Sequence, residues 1–302
     1  MNGGRLFHRV LLLAVSAGWW VPMWLAERIR ALAGRGGSRC VALYYHTVRP
    51  TDRARFAWQM DELLRLARPI AADTAELPAD ERGLCAMVTF DDGFRCVVRN
   101  ALPELLQRRI PAAIFVPAGC LGTGPAWLAG SDHPDAGEEV LGADELHVLP
   151  REFFRVGSHS LDHVRLPELP DDELRRQLVE SRARLEHVTG GPVKLLSPPY
   201  GACDARVLAL AREAGYTRVF TIRPEPAHLG SGRVDCGRCL VSPDDWRLEF
   251  RLKALGGYSW LPAASAICRR LAAALGRRSG HAERTQGERA EPRLSGAIRN
   301  LR

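Results

Sequence analysis

The sequence predicts an α/β fold in which strands and helices alternate to build a (β/α) barrel. Short apolar runs typical of buried strands recur along the chain, and segments with apolar residues three or four positions apart separate them. The chain has 302 residues, of which 46% are apolar, so it can form one large core. Polar residues follow several of the apolar runs directly, as they do at the mouth of such a barrel.

The N-terminal segment Val10–Ala26 is almost wholly apolar and contains three tryptophans. Its length is at the lower limit for a membrane span, and tryptophan is enriched at membrane interfaces. We favour a signal anchor. A cleaved signal peptide that ends near Val15–Ala17 and a helix that lies in the membrane interface are the alternatives. We assign residues 1–39 to this anchor and a linker.

The net charge of +7 is concentrated at the two ends of the chain. Residues 1–40 carry six arginines and one glutamate, and residues 269–302 carry nine arginines and three glutamates, so the part between them is acidic. Basic ends beside an apolar segment favour an anionic membrane over nucleic acid as a partner. We expect association with a bacterial inner membrane and a periplasmic catalytic domain. The arginines that follow the apolar segment keep a catalytic domain on the cytoplasmic face as the alternative.

The elements of the barrel follow from these patterns in order. Predicted strands lie at Cys40–Tyr45, Leu84–Val88, Ala112–Val116, Phe153–Val156, Val193–Leu196 and Thr217–Ile222. Predicted helices lie at Phe56–Ala67, Val97–Arg108, Asp171–Thr189, Ala205–Ala214 and Leu248–Leu275. We therefore place the catalytic domain at residues 40–250, a C-terminal helix at residues 251–275 and a disordered arginine-rich tail at residues 276–302.

Two adjacent carboxylates, Asp91 and Asp92, follow the second predicted strand, and Gly93 allows the chain to turn sharply. Like charges repel, so this pair is costly unless a cation lies nearby. His159 and His163 follow another strand with an i, i+4 spacing. One carboxylate and two imidazoles can bind Zn²⁺ or a similar divalent ion and leave positions for water and substrate, while the second carboxylate acts as a general base.

Thr89–Gly93 and Ser158–His163 resemble the first two motifs of the polysaccharide deacetylase family, the NodB-homology domains of carbohydrate esterase family 4. The resemblance extends from about Val41 to about Asp245. It implies a distorted seven-stranded (β/α) barrel. It also implies that Asp91 is the catalytic base and that Asp92, His159 and His163 bind a divalent metal, with Zn²⁺ expected first and Ni²⁺, Co²⁺ or Mn²⁺ as alternatives.

Further motifs of the family assign two more residues. Tyr45–Val48 resembles the motif that supplies an early general-acid histidine in the permuted poly-N-acetylglucosamine deacetylases, so the resemblance implies that His46 is the acid. Ser197–Gly201 resembles the third motif and implies that the Tyr200 backbone N–H helps to stabilise an oxyanion. The arginine usual in that motif is absent, and we suggest that Arg238 supplies its charge.

The resemblance implies metal-dependent hydrolysis of N-acetyl groups from N-acetylglucosamine-type residues of an envelope or extracellular polysaccharide. Removal of a formyl or acetyl group from a lipid-linked sugar is the alternative within the same chemistry. An inactive homologue that binds glycans is the alternative from another class. The eight scattered cysteines do not suggest a disulfide framework, although Cys236 and Cys239 have the spacing for one disulfide.

Overall fold

The computed structural model describes residues 3–33, 37–77, 82–268 and 270. Its strands are β1 (Ser38–Tyr45), β2 (Arg68–Pro69), β3 (Gly83–Phe90), β4 (Ala112–Val116), β5 (Phe154–Ser158), β6 (Leu195–Leu196), β7 (Arg218–Phe220), β8 (Asp235–Cys236) and β9 (Cys239–Leu240). Its α-helices are α1 (Gly3–Leu32), α2 (Arg53–Leu66), α3 (Leu102–Gln107), α4 (Ala143–His147), α5 (Asp171–Thr189), α6 (Ala205–Glu213) and α7 (Arg247–Ala254).

All strand pairs in the sheet are parallel, in the order β8-β7-β6-β5-β4-β3-β1-β9, with the short β2 beside β3. Strands β8 and β9 lie at opposite ends of this order, yet only Gly237 and Arg238 separate them along the chain. The segment 235–240 therefore pairs with β7 on one side and with β1 on the other, and it closes the sheet. The result is the predicted barrel of seven principal strands.

The barrel strands are buried on both faces, as expected for parallel strands covered by helices. Alternate residues face two apolar clusters. Cys40, Ala42, Cys85, Met87 and Phe115 belong to the smaller cluster inside the barrel. The larger cluster lies between the sheet and its helices and includes Leu43, Val88, Phe90 and Ile114. Because the interior is filled by side chains, the ligand-accessible face is the rim where the strands end.

Two predicted helices differ from the observed ones. The segment predicted as one helix from Val97 to Arg108 begins with a π-helical turn at Val97–Ala101, and α3 follows it with Pro103 in its first turn. Proline lacks the N–H that an interior helical position donates, so it is tolerated at this junction. The helix predicted from Leu248 to Leu275 is interrupted. Helix α7 ends at Ala254, residues 255–260 form turns in which Gly256 has a φ of 76°, and residues 261–268 are again helical.

The chain divides into two compact units, Met1–Leu261 and Pro262–Arg302, and the second is described only at residues 262–268 and 270. The predicted disordered tail lies outside the described residues, as do residues 34–36 of the predicted linker. Helix α1 is long enough and apolar enough over Leu6–Arg30 to cross a membrane. All eight cysteines are free thiols, including Cys236 and Cys239.

Candidate metal and acid–base site

The predicted site residues lie together at the carboxyl rim of the barrel. His46 follows β1, Asp91 and Asp92 follow β3, and His159 follows β5. The backbone joins these strand ends, since the Asp91 N–H donates to the Tyr45 carbonyl over 2.9 Å. The carboxyl ends of parallel strands share one edge of a sheet, which is why residues far apart in sequence meet here.

Asp92, His159 and His163 form a buried group whose potential ligand atoms all lie within 4.8 Å of one another. The Asp92 Oδ1 atom is 3.3 Å from His159 Nε2 and 3.1 Å from His163 Nε2. His159 Nδ1 lies 2.6 Å from the Ser197 carbonyl oxygen and must donate to it, so the unprotonated Nε2 of the neutral ring faces Asp92. An imidazole lone pair and a carboxylate oxygen then face each other, and a cation between them would remove the repulsion. The residues therefore fit a divalent metal.

The protonation states of this group also suit metal binding. Burial alone would raise the pKa of Asp92, but the neighbouring imidazoles of His159 and His163 hold it well below its ordinary value. Burial lowers the pKa of His163 despite the opposing effect of Asp92. An ionised carboxylate beside a neutral imidazole is the form that binds metals.

Backbone strain is concentrated at the same site. Five non-glycine residues among the described ones have a left-handed φ, and four of them are Asp92 (68°), Ser160 (63°), His163 (54°) and Tyr200 (60°). This conformation is uncommon for residues with a Cβ, and it persists only where the surroundings enforce it. Such strain is typical of functional sites.

Hydrogen bonds hold the loop that carries the two histidines. Ser160 Oγ accepts from the His163 N–H over 3.1 Å. Gln177, a buried residue of α5, accepts from the N–H groups of Leu161 and Asp162 through its Oε1 atom over 3.1 and 3.0 Å. The loop therefore takes its shape from α5 as well as from its own sequence.

Asp91 is held by Arg238, whose side chain is fully buried. The guanidinium donates to both Asp91 carboxylate oxygens over 2.7 and 2.8 Å, and also to Ser197 Oγ over 2.7 Å and Thr89 Oγ1 over 3.0 Å. Burial would raise the pKa of Asp91, but the charge of Arg238, with contributions from His159 and His46, holds it below its ordinary value. Asp91 is therefore ionised and fixed in orientation.

Arg238 reaches this position because it lies in the link that closes the barrel. The preceding residue, Gly237, has no room for a side chain, since a Cβ there would lie 2.4 Å from the Arg223 carbonyl oxygen. The guanidinium lies 4.6 Å from the centre of the Tyr44 ring, which adds a cation–π contact. Arg238 thus contacts Asp91, and its role as a substitute for the missing motif arginine stays a prediction.

His46 and Tyr200 border the acid–histidine group. His46 is half-buried, its ring meets Tyr44 edge-on at 5.6 Å, and its charge contributes to lowering the pKa of both Asp91 and Asp92. The Tyr200 ring meets His163 edge-on at 4.9 Å, in a turn that follows β6. All six predicted site residues therefore lie at one end of the barrel.

A sequence-family model described as polysaccharide deacetylase matches residues 79–219, which include Asp91, Asp92, His159, His163 and Tyr200. This matched part of the chain is a polysaccharide deacetylase domain. Over 129 residues the chain is 25% identical to the chitooligosaccharide deacetylase of Azorhizobium caulinodans, covering 42% of its own length and 53% of the relative. Over 131 residues it is 31% identical to chitin deacetylase 1 of Saccharomyces cerevisiae, covering 43% of its own length and 36% of the relative. It thus spans about half or less of these curated relatives.

Solved structures support the same fold for the chain. IcaB from Ammonifex degensii is 27% identical to it, with a TM-score of 0.60 over 72% of this chain and 98% of IcaB. The deacetylase PplD of Streptococcus pyogenes is similar in fold alone, with 16% identity and a TM-score of 0.56 over 68% of this chain and 93% of PplD. The family prediction made from the sequence motifs is confirmed.

Sequence reasoning missed two residues of the site. Trp127, which the long loop between β4 and β5 carries, stacks on the His163 ring with centroids 4.0 Å apart and an angle of 15° between planes. His163 Nδ1 is the one buried side-chain polar atom without a hydrogen-bond partner among the described residues, so the stacked indole, rather than a hydrogen bond at Nδ1, helps to orient the ring. Gln177 is the second missed residue. Trp127 stood out only as an aromatic residue in a long loop, and Gln177 had no signal in the sequence.

Proposed function

We propose that the chain is a metal-dependent N-deacetylase that removes acetyl groups from N-acetylglucosamine-type residues of an envelope or extracellular polysaccharide. The observation that carries this proposal is the buried Asp92–His159–His163 group beside an ionised Asp91 that Arg238 holds in place. The match to the polysaccharide deacetylase family model supports the reaction type. The names of the two curated relatives refer to chitin and its oligosaccharides, which supports the substrate class.

Asp92, His159 and His163 would bind the metal, with Zn²⁺ expected first and Ni²⁺, Co²⁺ or Mn²⁺ as alternatives. A divalent ion bound there supplies Lewis acidity, which polarises the amide carbonyl and lowers the pKa of a water molecule. Asp91 takes the proton from the attacking water, since it is ionised and its oxygens are fixed. Arg238 positions Asp91 through its paired hydrogen bonds.

Two further residues complete the proposed mechanism. The Tyr200 backbone N–H donates to the oxygen of the tetrahedral intermediate, where negative charge develops. His46 gives a proton to the departing amine, so that acetate and a glucosamine unit are formed.

Replacing Asp91 by Asn tests the proposal directly, because Asn keeps the shape of the side chain and cannot accept the proton. We expect acetate release from N-acetylglucosamine oligomers to fall by about 10²–10⁴-fold while the bound metal stays at one equivalent. Asp172→Asn, the same change on the exposed side of α5, should leave activity unchanged. Hydrolysis retained in Asp91→Asn would contradict the base assignment. A wild-type protein that binds glycan but releases no acetate would indicate the inactive homologue.

Chelation tests the metal requirement. Acetate release should stop when a chelator removes the metal and return when Zn²⁺ is restored, because Asp92, His159 and His163 then lack their cation. Activity that survives complete metal removal, verified by elemental analysis, would exclude the proposed mechanism. Restoration with Ni²⁺, Co²⁺ and Mn²⁺ in parallel would rank the alternative metals.

A lipid-linked sugar is the second candidate substrate, and one observation favours it. Helix α1 packs against α7 and presents exposed apolar side chains, including Phe7 and Leu25, so the molecule carries a surface suited to lipid. Assays with a formylated or acetylated sugar on a polyprenyl carrier and with free oligosaccharides would separate the two. Faster release from the carrier-linked sugar at equal concentration would favour this candidate.

A further inference from the structure

Helix α1 is attached to the barrel along one face. Ser16 is fully buried, and its Oγ accepts from Trp260 Nε1 over 3.0 Å. Arg9, Ser16 and Met23 are seven residues apart and all contact the segment 244–260, Met23 through Ser259 Oγ. A seven-residue spacing returns to the same side of an α-helix after two turns. One stripe of α1 is therefore docked.

The docking completes the charge balance of a partly buried cluster. Asp245, Glu249 and Lys253 are nearly buried, and the Lys253 ammonium is 2.8 Å from Asp245 and 3.2 Å from Glu249. Two carboxylates and one ammonium leave one negative charge, which Arg9 of α1 neutralises through a contact of 2.6 Å with Glu249. The Arg9 guanidinium also lies 4.5 Å from the centre of the Trp246 ring. Unpaired buried charge is costly, so this contact is specific to the docked position.

The opposite side of α1 is apolar and exposed. At 100° per residue, the side facing away from Arg9, Ser16 and Met23 carries six large apolar side chains. They are exposed by 50–90% of their area, and they are Phe7, Leu11, Val21, Leu25, Ile29 and Leu32. They extend over about 38 Å at the rise of an α-helix. Folded proteins rarely leave an apolar stripe of this size to water.

The docked position does not allow α1 to cross a bilayer. The contacts with the barrel run from Arg9 to Met23, which is about 21 Å of helix. A bilayer has a hydrocarbon core of about 30 Å. A spanning α1 would therefore draw the ion cluster and the charged surface of α7 into hydrocarbon, where charge is costly. A helix that lies in the membrane plane avoids this, because only its outer face enters the lipid.

We propose that α1 is an in-plane helix that binds the surface of a bilayer with anionic headgroups while its other face stays docked on the barrel. Trp24 is exposed on its flank, where an indole suits the headgroup region, whereas the Trp19 indole donates to Ser259 of the docked segment. Arg28 and Arg30 are exposed near its end, and the Arg28 guanidinium lies 5.5 Å from the centre of the Trp24 ring. These positive charges complement an anionic lipid surface.

The same contacts orient the barrel. Arg9 near the start of α1 contacts the Asp244 carbonyl, which follows β9 at the carboxyl rim. Glu27 near its end pairs with Arg39 at the start of β1, at the opposite end of the barrel. Helix α1 therefore runs along the barrel axis. A bilayer that covers its outer face makes that axis parallel to the membrane, with the mouth of the site opening along the membrane surface.

Vesicle flotation of the full chain tests the lipid surface. Wild-type protein should float with phosphatidylcholine vesicles that contain phosphatidylglycerol, and less with phosphatidylcholine alone. The double variant Phe7→Asp, Leu25→Asp should bind at least tenfold more weakly, since both side chains are on the outer face of α1. The matched control Val148→Asp, Val179→Asp places the same charges at equally exposed valines, one directly after α4 and one within α5, and should float like wild type.

Equal flotation of the Phe7→Asp, Leu25→Asp variant and wild type would overturn the proposal. So would a wild-type protein that ignores vesicles and forms a dimer which these two substitutions dissociate, because the apolar face would then bind a second copy of the chain. Thermal melting of each variant verifies that the barrel is folded.

Protease protection in cells separates an in-plane helix from a span. In intact spheroplasts, an epitope tag before Gly3 should behave like the catalytic domain: a protease should cleave both or neither. We expect this because both lie on the same side of the membrane. A tag on the opposite side from the domain would overturn the proposal, as would a mature protein whose mass shows that α1 has been removed.

Discussion

At the residue scale, the orientation of Asp91 depends on the shape of the Arg238 guanidinium as well as on its charge. Arginine donates two parallel hydrogen bonds to one carboxylate, while the lysine ammonium acts as a point charge. Arg238 uses this fork on Asp91, and its other hydrogen bonds go to Ser197, Thr89 and the Thr221 carbonyl oxygen. Charge and orientation can therefore be separated by substitution.

We expect Arg238→Lys to lower the rate of acetate release by about 10²-fold, which is the scale of loss when a catalytic group is misplaced by about 1 Å. Metal content should stay at one equivalent, since Arg238 does not contact the metal-binding group. Arg218→Lys is the matched control, because Arg218 donates to the backbone carbonyls of Ala72 and Thr74, away from the acid–histidine group. An unchanged rate in Arg238→Lys would mean that charge alone is sufficient.

Trp127 offers a second residue-scale prediction. Its indole stacks on His163, and removing a group that orients a metal ligand typically costs about 10–100-fold in metal affinity. Trp127→Ala should weaken metal binding within that range, and Trp127→Phe should recover much of the loss because it keeps a stacking ring. Trp58→Ala removes an indole that packs on Phe250 of α7, away from the histidines, and should leave metal affinity unchanged. Competition with a chromogenic chelator would measure all three.

The sequence predicted those site residues whose chemistry shows locally. Two histidines four residues apart and two adjacent acids after strands are recognisable without a structure. Arg238 could only be suggested. It lies 147 residues after Asp91 in the sequence, and closure of the barrel is what brings the two side chains together. Trp127 could not be assigned, because the conformation of a long loop brings it onto His163. Gln177 could not be assigned either, because its role depends on how α5 contacts the loop that carries the two histidines.

At the element scale, the core strands tolerate little added side-chain volume where β5 lies between β4 and β6. Gly157 is in β5, and a Cβ there would lie 2.5 Å from the Phe115 ring of β4 and 3.1 Å from the Leu195 carbonyl oxygen of β6. Gly157→Ala should therefore lower the free energy of unfolding by about 1–3 kcal/mol through overpacking. Gly137→Ala, where a Cβ would meet nothing within 4 Å, is the control for urea unfolding. Equal stability of the two variants would show that β5 can shift freely.

Helix prediction succeeded where the local pattern was complete. Helix α5 has acids in its first turn, an apolar stripe that includes Leu174, Leu178 and Leu185, and the left-handed Gly190 at its end, and it was predicted with its exact bounds. The π-helical turn before α3 and the break after α7 had weaker local signals. Packing against the barrel determines the π-helical turn and the break after α7, and the spacing of apolar residues alone does not reveal that packing.

At the scale of the whole molecule, closure of the barrel was predicted only through the family resemblance. The strands β8 and β9 are two residues long and carry no periodic pattern, yet they join β7 to β1. The same closure delivers Arg238 to Asp91. The short segment from β8 to β9 thus both closes the barrel and positions Arg238. Both roles depend on contacts with residues that are distant in the sequence.

The attachment of α1 to the barrel gives a prediction for the whole chain. Arg9→Met leaves Asp245 and Glu249 with Lys253 as their one remaining cation in the cluster, and Glu249→Gln removes the partner of Arg9. Each single change should lower the free energy of unfolding by about 1–2 kcal/mol, and the double variant should cost no more than one single change. Arg28→Met, on the same helix but outside the cluster, should change it by less than about 0.5 kcal/mol. Additive losses would mean that the two charges do not interact.

The pH dependence gives an independent check on that attachment. Burial opposes ionisation of Glu249, but Lys253 and Arg9 together hold its pKa below the ordinary value. A carboxyl group with a lowered pKa in the folded state stabilises that state above its unfolded pKa, roughly pH 4.3, and this contribution is lost as the pH falls through the folded value. The stability gap between wild type and Arg9→Met should therefore be full at neutral pH and shrink below about pH 4.3. A gap that stays constant across this range would assign the effect of Arg9 to packing on Trp246 instead of to its charge.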